Sequence, residues 1–180
     1  LRRGAQALRK RPDLKIIPFR GNVQTRLRKL SEGLADATLL AAAGLKRLNM
    51  TENVAGYIEK DEMLPAAGQG IVCATLSSDA PDWLRAACAA IDSAESRLAA
   101  AAERAFLKRL DGSCRTPIAG HFELTSTGAR MTGEVLSDDG AQCWRAEGAL
   151  KERPSEQDAE ELGLVVAEDI AAHRKLNIPE

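Results

Sequence analysis

The sequence predicts an α/β region followed by a small α+β domain, and two observations carry this prediction. Residues 1–64 alternate between helical and extended apolar patterns, an order typical of a parallel sheet with crossover helices. From about residue 95, a long Ala-rich helix precedes three short strands and a final helix. A chain of 180 residues, 44% of them hydrophobic, has enough apolar material for one sizeable core or two small ones.

Hydrophobic spacing assigns the elements of the first region. In chain order, the patterns predict helix 1–11, strand 14–19, helix 23–33, strand 36–41 and short helices at 42–48 and 51–58. A strand, a helix and a second strand in this order form a βαβ unit with a parallel sheet. Residues 65–70 are rich in Gly and Ala and predict a hinge, so we place a domain boundary there.

The second region changes from helical to alternating patterns. The sequence predicts strand 71–76, helix 82–90, helix 94–110, antiparallel strands at 121–124, 130–136 and 142–148, and helix 156–175. On helix 94–110, Phe106, Leu107 and Leu110 share one side. Ser155 is expected to cap the last helix. The apolar side of that helix is predicted to contain Leu162, Val165, Val166 and Ile170.

Composition and charge exclude several classes of function. The formal net charge of -1 gives no general attraction to nucleic acid or to an anionic membrane. Any anion binding must therefore come from local clusters of Arg and Lys. No apolar run approaches the ~18 residues of a membrane span, and the first residues lack a secretory signal, so we expect a cytoplasmic location.

The four cysteines argue against a metal centre or a disulfide framework. They are widely spaced, and the two histidines, His121 and His173, lie in different predicted elements, so zinc-ligand spacing is absent. Reduced thiols fit a cytosolic protein. Three of the cysteines are interpreted as structural, in strand 71–76, in helix 82–90 and beside Trp144 in a strand: Cys73, Cys88 and Cys143.

Cys114 differs from the other cysteines because it lies in a loop, Leu110-Asp111-Gly112-Ser113-Cys114-Arg115-Thr116-Pro117, whose composition exposes a thiol. Gly112 is expected to end the preceding helix. Arg109 and Arg115 favour a thiolate, whereas the negative end of that helix opposes one, so the direction of any pKa shift stays open. A lone cysteine is also often an inert small hydrophobe. The loop alone therefore allows a reactive thiol or a structural one.

The segment Arg20-Gly21-Asn22-Val23-Gln24-Thr25-Arg26 follows the first predicted strand and opens the next helix. In a parallel sheet, ligands bind at such a strand-to-helix turn. Asn22 or Thr25 can cap the helix, whose free N–H groups and positive end favour an anion. Arg20 and Arg26 are placed to converge on one carboxylate or phosphate, while the two basic residues that follow point elsewhere. The alternative, a solvated basic face, stays open.

Arg2 and Arg3 form a second basic pair, at the start of a predicted helix. Positive charge is unfavourable at a helix N-terminus unless an anion offsets it, so this pair also indicates ligand binding. No Ser-His-Asp or Cys-His pattern accompanies either pair. Gly68-Gln69-Gly70 is too short for a dinucleotide motif and is interpreted as a backbone hinge. An anion site with a reactive cysteine is incomplete as an enzyme.

A set of motifs in fixed order covers nearly the whole chain. These motifs are Leu1-Arg2-Arg3, Arg11-Pro12-Asp13-Leu14, Arg20-Gly21-Asn22-Val23 with Thr25-Arg26-Leu27, Ala41-Ala42-Ala43-Gly44-Leu45-Lys46-Arg47-Leu48, Leu64-Pro65-Ala66-Ala67-Gly68-Gln69-Gly70, Glu103-Arg104-Ala105-Phe106-Leu107, and Gly112-Ser113-Cys114 with Pro117-Ile118-Ala119-Gly120. In them the chain resembles the porphobilinogen deaminase family, also called hydroxymethylbilane synthase, of tetrapyrrole biosynthesis. Residues beyond about 125 add little to the resemblance.

The resemblance implies a transferase of porphyrin and heme biosynthesis. Such an enzyme condenses four porphobilinogen units, each with loss of ammonia, on a dipyrromethane primer and releases hydroxymethylbilane by hydrolysis. Cys114 would hold this covalent dipyrromethane cofactor through a thioether bond. The pyrroles carry acetate and propionate groups, which arginines bind well. By resemblance, the cofactor is held by Arg2, Arg3 and Arg26, and the substrate and growing polypyrrole are bound by Arg20, Arg47 and Gln69.

The resemblance also implies a domain organisation. Residues 1–64 would be part of domain two, 65–90 a hinge with a returning segment of domain one, and 95–180 the cofactor-bearing domain three. The family fold is similar to that of periplasmic binding proteins, so the first two segments are expected to form partial lobes of that kind.

The family's preceding sequence, with its catalytic Asp, has no counterpart among these residues. We therefore expect the missing N-terminal segment of the same protein to be a partner, the full-length protein to be a monomer, and this chain alone to be inactive. The alternative is a non-catalytic, two-lobed binding module for a carboxylated ligand. Neither nucleic acid nor a membrane is an expected partner, because the net charge is -1 and only 3% of the residues are aromatic.

Overall fold

The computed structural model of the chain describes residues 1–110 and 116–176. Its helices are α1 (Arg2–Lys10), α2 (Val23–Ser31), α3 (Ala42–Arg47), α4 (Asp82–Ala90), α5 (Ala94–Arg109) and α6 (Glu156–Leu176), with a 3-10 turn at Thr51–Asn53. Its strands are β1 (Ile118–Leu124), β2 (Ala129–Leu136) and β3 (Cys143–Leu150). The mixed helix and strand class is confirmed, and each of these helices overlaps a predicted one.

The three strands form one antiparallel sheet in the order β1-β2-β3. Ile118 lies opposite Val135, and Val135 lies opposite Trp144, so all three side chains point to the same face. Helices α5 and α6 cover that face and enclose the core. The larger core side chains are Leu98, Phe106, Phe122, Met131, Val135, Trp144, Leu162, Val166 and Ile170. The predicted α+β unit of three strands and two main helices is therefore confirmed.

A glycine allows α5 and α6 to approach closely. A Cβ atom built on Gly163 of α6 would lie 2.1 Å from the carbonyl oxygen of Ala102 on α5, a distance that real Cβ atoms do not show. Ala102 itself is fully buried. The absence of a side chain at position 163 thus brings the two backbones together, which tightens the packing of the core.

The start and the buried side of α6 follow mostly from its sequence. Ser155 caps the helix as predicted, because its Oγ accepts the Asp158 N–H at 3.2 Å while Asp158 Oδ2 accepts the Ser155 N–H at 2.8 Å. The prediction for Val165 is wrong, since this residue is 60% exposed. Leu162 and Val166 lie one turn apart on the buried side, and Val165 is rotated by about 100° from Val166. Within the described residues, no helix is both long and apolar enough to cross a membrane.

The strands predicted at 14–19, 36–41 and 71–76 are not formed. A strand requires a neighbour that exchanges backbone hydrogen bonds with it, and none of these segments pairs with another among the described residues. Most large apolar side chains of 14–19 and 71–76 are exposed instead, with Ile16 at 50% and Val72 at 95%. Cys73, predicted in an apolar strand, is likewise exposed. In 36–41, Leu39 and Leu40 are half-buried. The parallel βαβ unit is therefore wrong for the described residues, and the periplasmic-binding-protein-like lobe is not shown.

The helix predicted at 51–58 is reduced to the 3-10 turn Thr51–Asn53. The Asn53 side-chain amide donates to the Met50 carbonyl at 3.2 Å and to Glu52 Oε1 at 2.9 Å, which stabilises a turn rather than a helix. Gly56 further lowers the helical propensity of the segment. A turn signal in the sequence therefore outweighs the apolar spacing.

The second face of the sheet is polar and contacts the first half of the chain. Arg130 on β2 donates to Glu123 on β1 at 2.5 Å, and Glu123 also accepts a hydrogen bond from Lys60. The Gly120 N–H donates to the Pro65 carbonyl at 3.1 Å. These bonds attach residues 60–65 to β1, and they place the turn that follows next to α5.

Candidate functional site

The turn before α2 is fixed by its own polar groups. Asn22 Oδ1 accepts the Thr25 N–H at 2.8 Å, so Asn22, one of the two predicted caps, is the one that forms. Gly21 has a φ of 129°, which favours glycine. The Arg26 Nε donates to the Gly21 carbonyl at 3.0 Å, and this bond folds the side chain back over the turn. The terminal nitrogens of Arg26 make no further contact within the described residues.

Arg20 and Arg47 present their guanidinium groups to solvent. Both residues are exposed, and neither guanidinium group bonds to another side chain or carbonyl of the described residues. Of the two basic residues predicted to point elsewhere, Arg28 does so, because it pairs with Glu32 at 2.8 Å. The prediction for Lys29 is wrong: its Nζ donates to the Arg20 carbonyl at 2.9 Å, at the start of the turn, and lies 5.8 Å from the centroid of the Phe19 ring. Arg20 and Arg47 are therefore available for an external anion.

Arg2 and Gln69 are brought together directly. The Arg2 Nη2 donates to Gln69 Oε1 at 3.0 Å, and the Arg2 Nη1 donates to the Leu64 carbonyl. Gln6, one turn further along α1, donates to the same carbonyl at 3.1 Å. Partial burial, and next the neighbouring charge of Arg3, lower the pKa of Arg2 from its ordinary value, but an arginine stays cationic at neutral pH.

Arg3 lies on the more exposed side of α1. Its Nη1 donates to the Leu39 carbonyl at 2.9 Å, and the residue remains open to solvent. No acidic residue lies in the first turn of α1, so the two arginines at its N-terminus have no carboxylate there to offset them. The charge of Glu134 on β2 offsets that of Arg2 in part, so the unfavourable charge noted in the sequence persists mainly at Arg3.

Glu103 was missed by sequence reasoning. This carboxylate on α5 is 4% exposed. Its Oε2 accepts the Gly68 N–H at 2.6 Å and its Oε1 accepts the Phe122 N–H at 2.9 Å, so it links the turn at 66–70 to β1. Burial raises the pKa of Glu103, although both backbone bonds oppose the shift. One signal in the sequence could have indicated that Glu103 is buried. It lies three residues before Phe106, beside the apolar side of the helix.

His121 lies beside this carboxylate. Its Nδ1 is 3.7 Å from Glu103 Oε1. Burial, and next the charge of Lys60, lower the pKa of His121 below its ordinary value. The ring is therefore mostly neutral at pH 7 and does not form an ion pair with Glu103. The described residues contain no cluster of three ligand side chains that could hold a metal ion.

Cys114 and its neighbours Gly112, Ser113 and Arg115 lie outside the described residues. The structure describes the residues on both sides of this segment, at the end of α5 and at the start of β1. Helix α5 ends at Arg109, whose Nε donates to Glu168 of α6 at 3.3 Å, and so Arg109 is engaged with α6. On the other flank, the Pro117 carbonyl accepts the Leu136 N–H at 3.0 Å just before β1 begins. The Cys114 loop is thus the connection between α5 and β1.

Both halves of the chain match models of known protein families. Residues 1–85 match the family model "Porphobilinogen deaminase, dipyromethane cofactor binding domain", and residues 97–172 match "Porphobilinogen deaminase, C-terminal domain". The two models define a class of protein with a cofactor-binding domain followed by a C-terminal domain. The chain belongs to the porphobilinogen deaminase family.

Individual relatives agree with the family models. A porphobilinogen deaminase of Paracoccus denitrificans is 53% identical over 82% of this chain and 47% of its own length. One from Nitrobacter hamburgensis is 46% identical over 94% of this chain and 52% of its own length. A chloroplastic one from Pisum sativum is 53% identical over 79% of this chain and 39% of its own length. The chain thus spans about half the length of the curated relatives it matches.

Proposed function

We propose that the protein carrying this sequence condenses porphobilinogen units on a cysteine-linked dipyrromethane primer and forms hydroxymethylbilane. The observation that carries the proposal is the match of residues 1–85 to the family's cofactor-binding domain, together with the match of the C-terminal domain that contains Cys114. When bound, the primer would supply a pyrrole carbon for C–C bond formation: this carbon loses its proton, the aminomethyl C–N bond of porphobilinogen breaks, and the nitrogen leaves as ammonia. The alternative, a non-catalytic binding module, is not favoured, because both halves of the chain match an enzyme family.

The donor set of the chain fits a ligand that carries several carboxylates. Arg2, Arg3 and Arg26 would hold the cofactor, whose carboxylates accept forked hydrogen bonds from guanidinium groups. The exposed Arg3 and the terminal nitrogens of Arg26 support these roles. Arg2 already donates to Gln69 and to the Leu64 carbonyl, so it would have to share its donors or exchange them.

The substrate roles rest on Arg20, Arg47 and Gln69. The two arginines are exposed and have no partner among the described side chains, which supports capture of an incoming or elongating carboxylate. Gln69 is exposed and lies against Arg2, so it would contact ligand near the cofactor arginines. Cys114 would form the thioether bond, and Arg115 beside it in sequence would favour the thiolate during attachment.

Two further roles, the catalytic carboxylate and the pairing of the extended segments, are assigned to residues outside this sequence. We propose that a segment outside these residues provides the catalytic Asp and pairs with the extended segments at 14–19, 36–41 and 71–76. The exposed apolar side chains of 14–19 and 71–76 support this, because such residues are normally covered. The chain alone is expected not to turn over, and the full-length protein is expected to be a monomer. A cytoplasmic location stays a prediction, since the pea relative is named chloroplastic.

The intact mass of the full-length protein tests the proposal. Protein produced in cells that make porphobilinogen should carry the added mass of a two-pyrrole unit and should colour with Ehrlich's reagent. Cys114→Ser should lose both signals. Cys73→Ser is the matched control, because Cys73 is an exposed free cysteine and should leave the adduct unchanged. An adduct that persists in Cys114→Ser, or wild-type protein without one, would contradict the proposal.

A further inference from the structure

The segment 64–70, which contains the turn at 66–70, is held between α1 and α5 by hydrogen bonds from both sides. On one side, Arg2 and Gln6 of α1 donate to the Leu64 carbonyl. On the other side, the Gly68 N–H donates to Glu103 of α5 at 2.6 Å. Because these bonds come from separate parts of the chain, the location of the turn is not set by its local sequence alone.

Gln69 depends on this turn for its position. Its Oε1 accepts the Ala66 N–H at 3.3 Å within the turn and the Arg2 Nη2 at 3.0 Å across to α1. Gly68, which precedes it, has a φ of 72° and is the residue bound by Glu103. A shift of the Gly68 backbone therefore moves Gln69, and with it the acceptor of Arg2.

A carboxylate at position 103 can bind the backbone of both segments, whereas an amide cannot. Each of its two carboxylate oxygens accepts one backbone N–H, Gly68 on Oε2 and Phe122 on Oε1. A glutamine has only one acceptor oxygen, and its NH2 group would face an N–H donor. A carboxylate that is only 4% exposed is costly to bury, so two converging donors explain its presence.

We infer that Glu103 is a positioning residue that sets the location of Gln69 and Arg2 relative to α5, the helix that leads into the Cys114 loop. It acts through the backbone of the turn, because its two carboxylate oxygens accept backbone N–H groups. The inference rests on the proposed function only for its effect on substrate. The arrangement of the turn itself is independent of that function.

Hydrogen–deuterium exchange of the full-length protein tests the arrangement. In Glu103→Gln, peptides covering 64–70 should exchange roughly tenfold faster or more, because a charge-assisted bond to the Gly68 N–H is lost. Glu95→Gln is the matched control on the same helix, since Glu95 is exposed and only pairs with Arg153 at 3.7 Å. Unchanged exchange over 64–70 in Glu103→Gln would overturn the inference, whether or not the protein is active.

A double-mutant cycle tests the consequence for substrate. Glu103→Gln and Gln69→Ala should each raise KM for porphobilinogen several-fold, and the double variant should resemble Gln69→Ala, because Glu103 acts through Gln69. Val166→Ala, a core variant remote from the turn, controls for a general loss of stability and should leave KM unchanged. Additive effects would overturn the inference. If the wild-type protein lacked the added mass of the cofactor, the proposed function would be refuted. Hydrogen–deuterium exchange would still test whether Glu103 holds the turn in place.

Discussion

The ring of Phe106 lies directly against the backbone of Gly133. A Cβ atom built on Gly133 would be 2.4 Å from Phe106 Cε2, so this strand position has no room for a side chain. Phe106 is fully buried and lies about one turn before the C-terminal end of α5 at Arg109. The contact therefore fixes the helix that leads to the proposed cofactor residue.

Gly133→Ala should destabilise the protein by about 1–3 kcal/mol, because the added methyl group overpacks the core. Urea unfolding measures the change. The control is Gly56→Ala, since a Cβ at Gly56 would meet nothing within 4 Å. Combination with Phe106→Leu should give a loss smaller than the sum of the two single losses, because the smaller side chain makes room. Equal effects of Gly133→Ala and Gly56→Ala would show that the contact is not tight.

Glu103 should make the stability of the protein depend on pH. Burial raises its pKa in the folded state, so the folded protein binds more protons than the unfolded one between the ordinary pKa of Glu, about 4.3, and the raised value. The free energy of unfolding should therefore fall as the pH rises through this window. Glu103→Gln should remove that part of the slope, whereas the exposed Glu95→Gln should keep it.

His121 contributes to the same measurement with the opposite sign. Its pKa is lowered by burial, so its contribution is fully present above the ordinary His pKa, about 6.5, and is lost as the pH falls through the lowered value. Urea unfolding of His121→Gln and Glu103→Gln across this range separates the two groups. A slope unchanged by Glu103→Gln would mean that this carboxyl has its ordinary pKa.

Local patterns in the sequence predict the second half of the chain well. The three strands follow one another through short turns that carry Gly, Ser and Asp, and α6 follows β3 closely and packs on it. Helices α5 and α6 are distant in sequence, but each has an apolar side that its own spacing reveals. The same patterns fail at 14–19 and 71–76, because a strand also needs a neighbour and the described residues offer none. Spacing alone gives the tendency of a segment to extend, not its partner.

The candidate site was predictable only in part. Arg20 and Arg26 follow from the Gly21-Asn22 turn, whose capping bond is local. The bond from Arg2 to the Leu64 carbonyl spans 62 residues, and that from Gly68 to Glu103 spans 35. No periodicity in one sequence reports such distant contacts, so the role of Glu103 emerged only from the fold.

Cys73 should react faster with alkylating reagents than Cys143, because Cys73 is exposed and the pKa of Cys143 is raised. Cys73 is exposed, whereas burial, and next the charge of Glu134, raise the pKa of Cys143 to about 11. The thiolate is the nucleophile, and at pH 7 only about one Cys143 side chain in 10⁴ would be ionised. Brief iodoacetamide treatment of the folded 180-residue chain, in which Cys73 is exposed, should therefore modify Cys73 and spare Cys143, as read by peptide mass. Comparable modification of both would contradict the burial of Cys143.

Arg20 and Arg47 should matter for substrate binding and not for stability. Neither guanidinium group contacts another described side chain, so Arg20→Ala and Arg47→Ala should leave the free energy of unfolding within about 0.5 kcal/mol of wild type. In the full-length protein, each change should raise KM for porphobilinogen by roughly tenfold or more, the expected loss for one charge-assisted contact to a carboxylate.

Arg28→Ala is the matched control for these two variants. Arg28 is exposed and on the same helix as Arg26, but it pairs with Glu32 and points away from the turn. Its removal changes the net charge as the other two variants do, so a general electrostatic attraction of the anionic substrate would raise KM equally in all three. A rise confined to Arg20→Ala and Arg47→Ala would instead show direct contacts, while a rise in none of them would exclude both arginines from the substrate site.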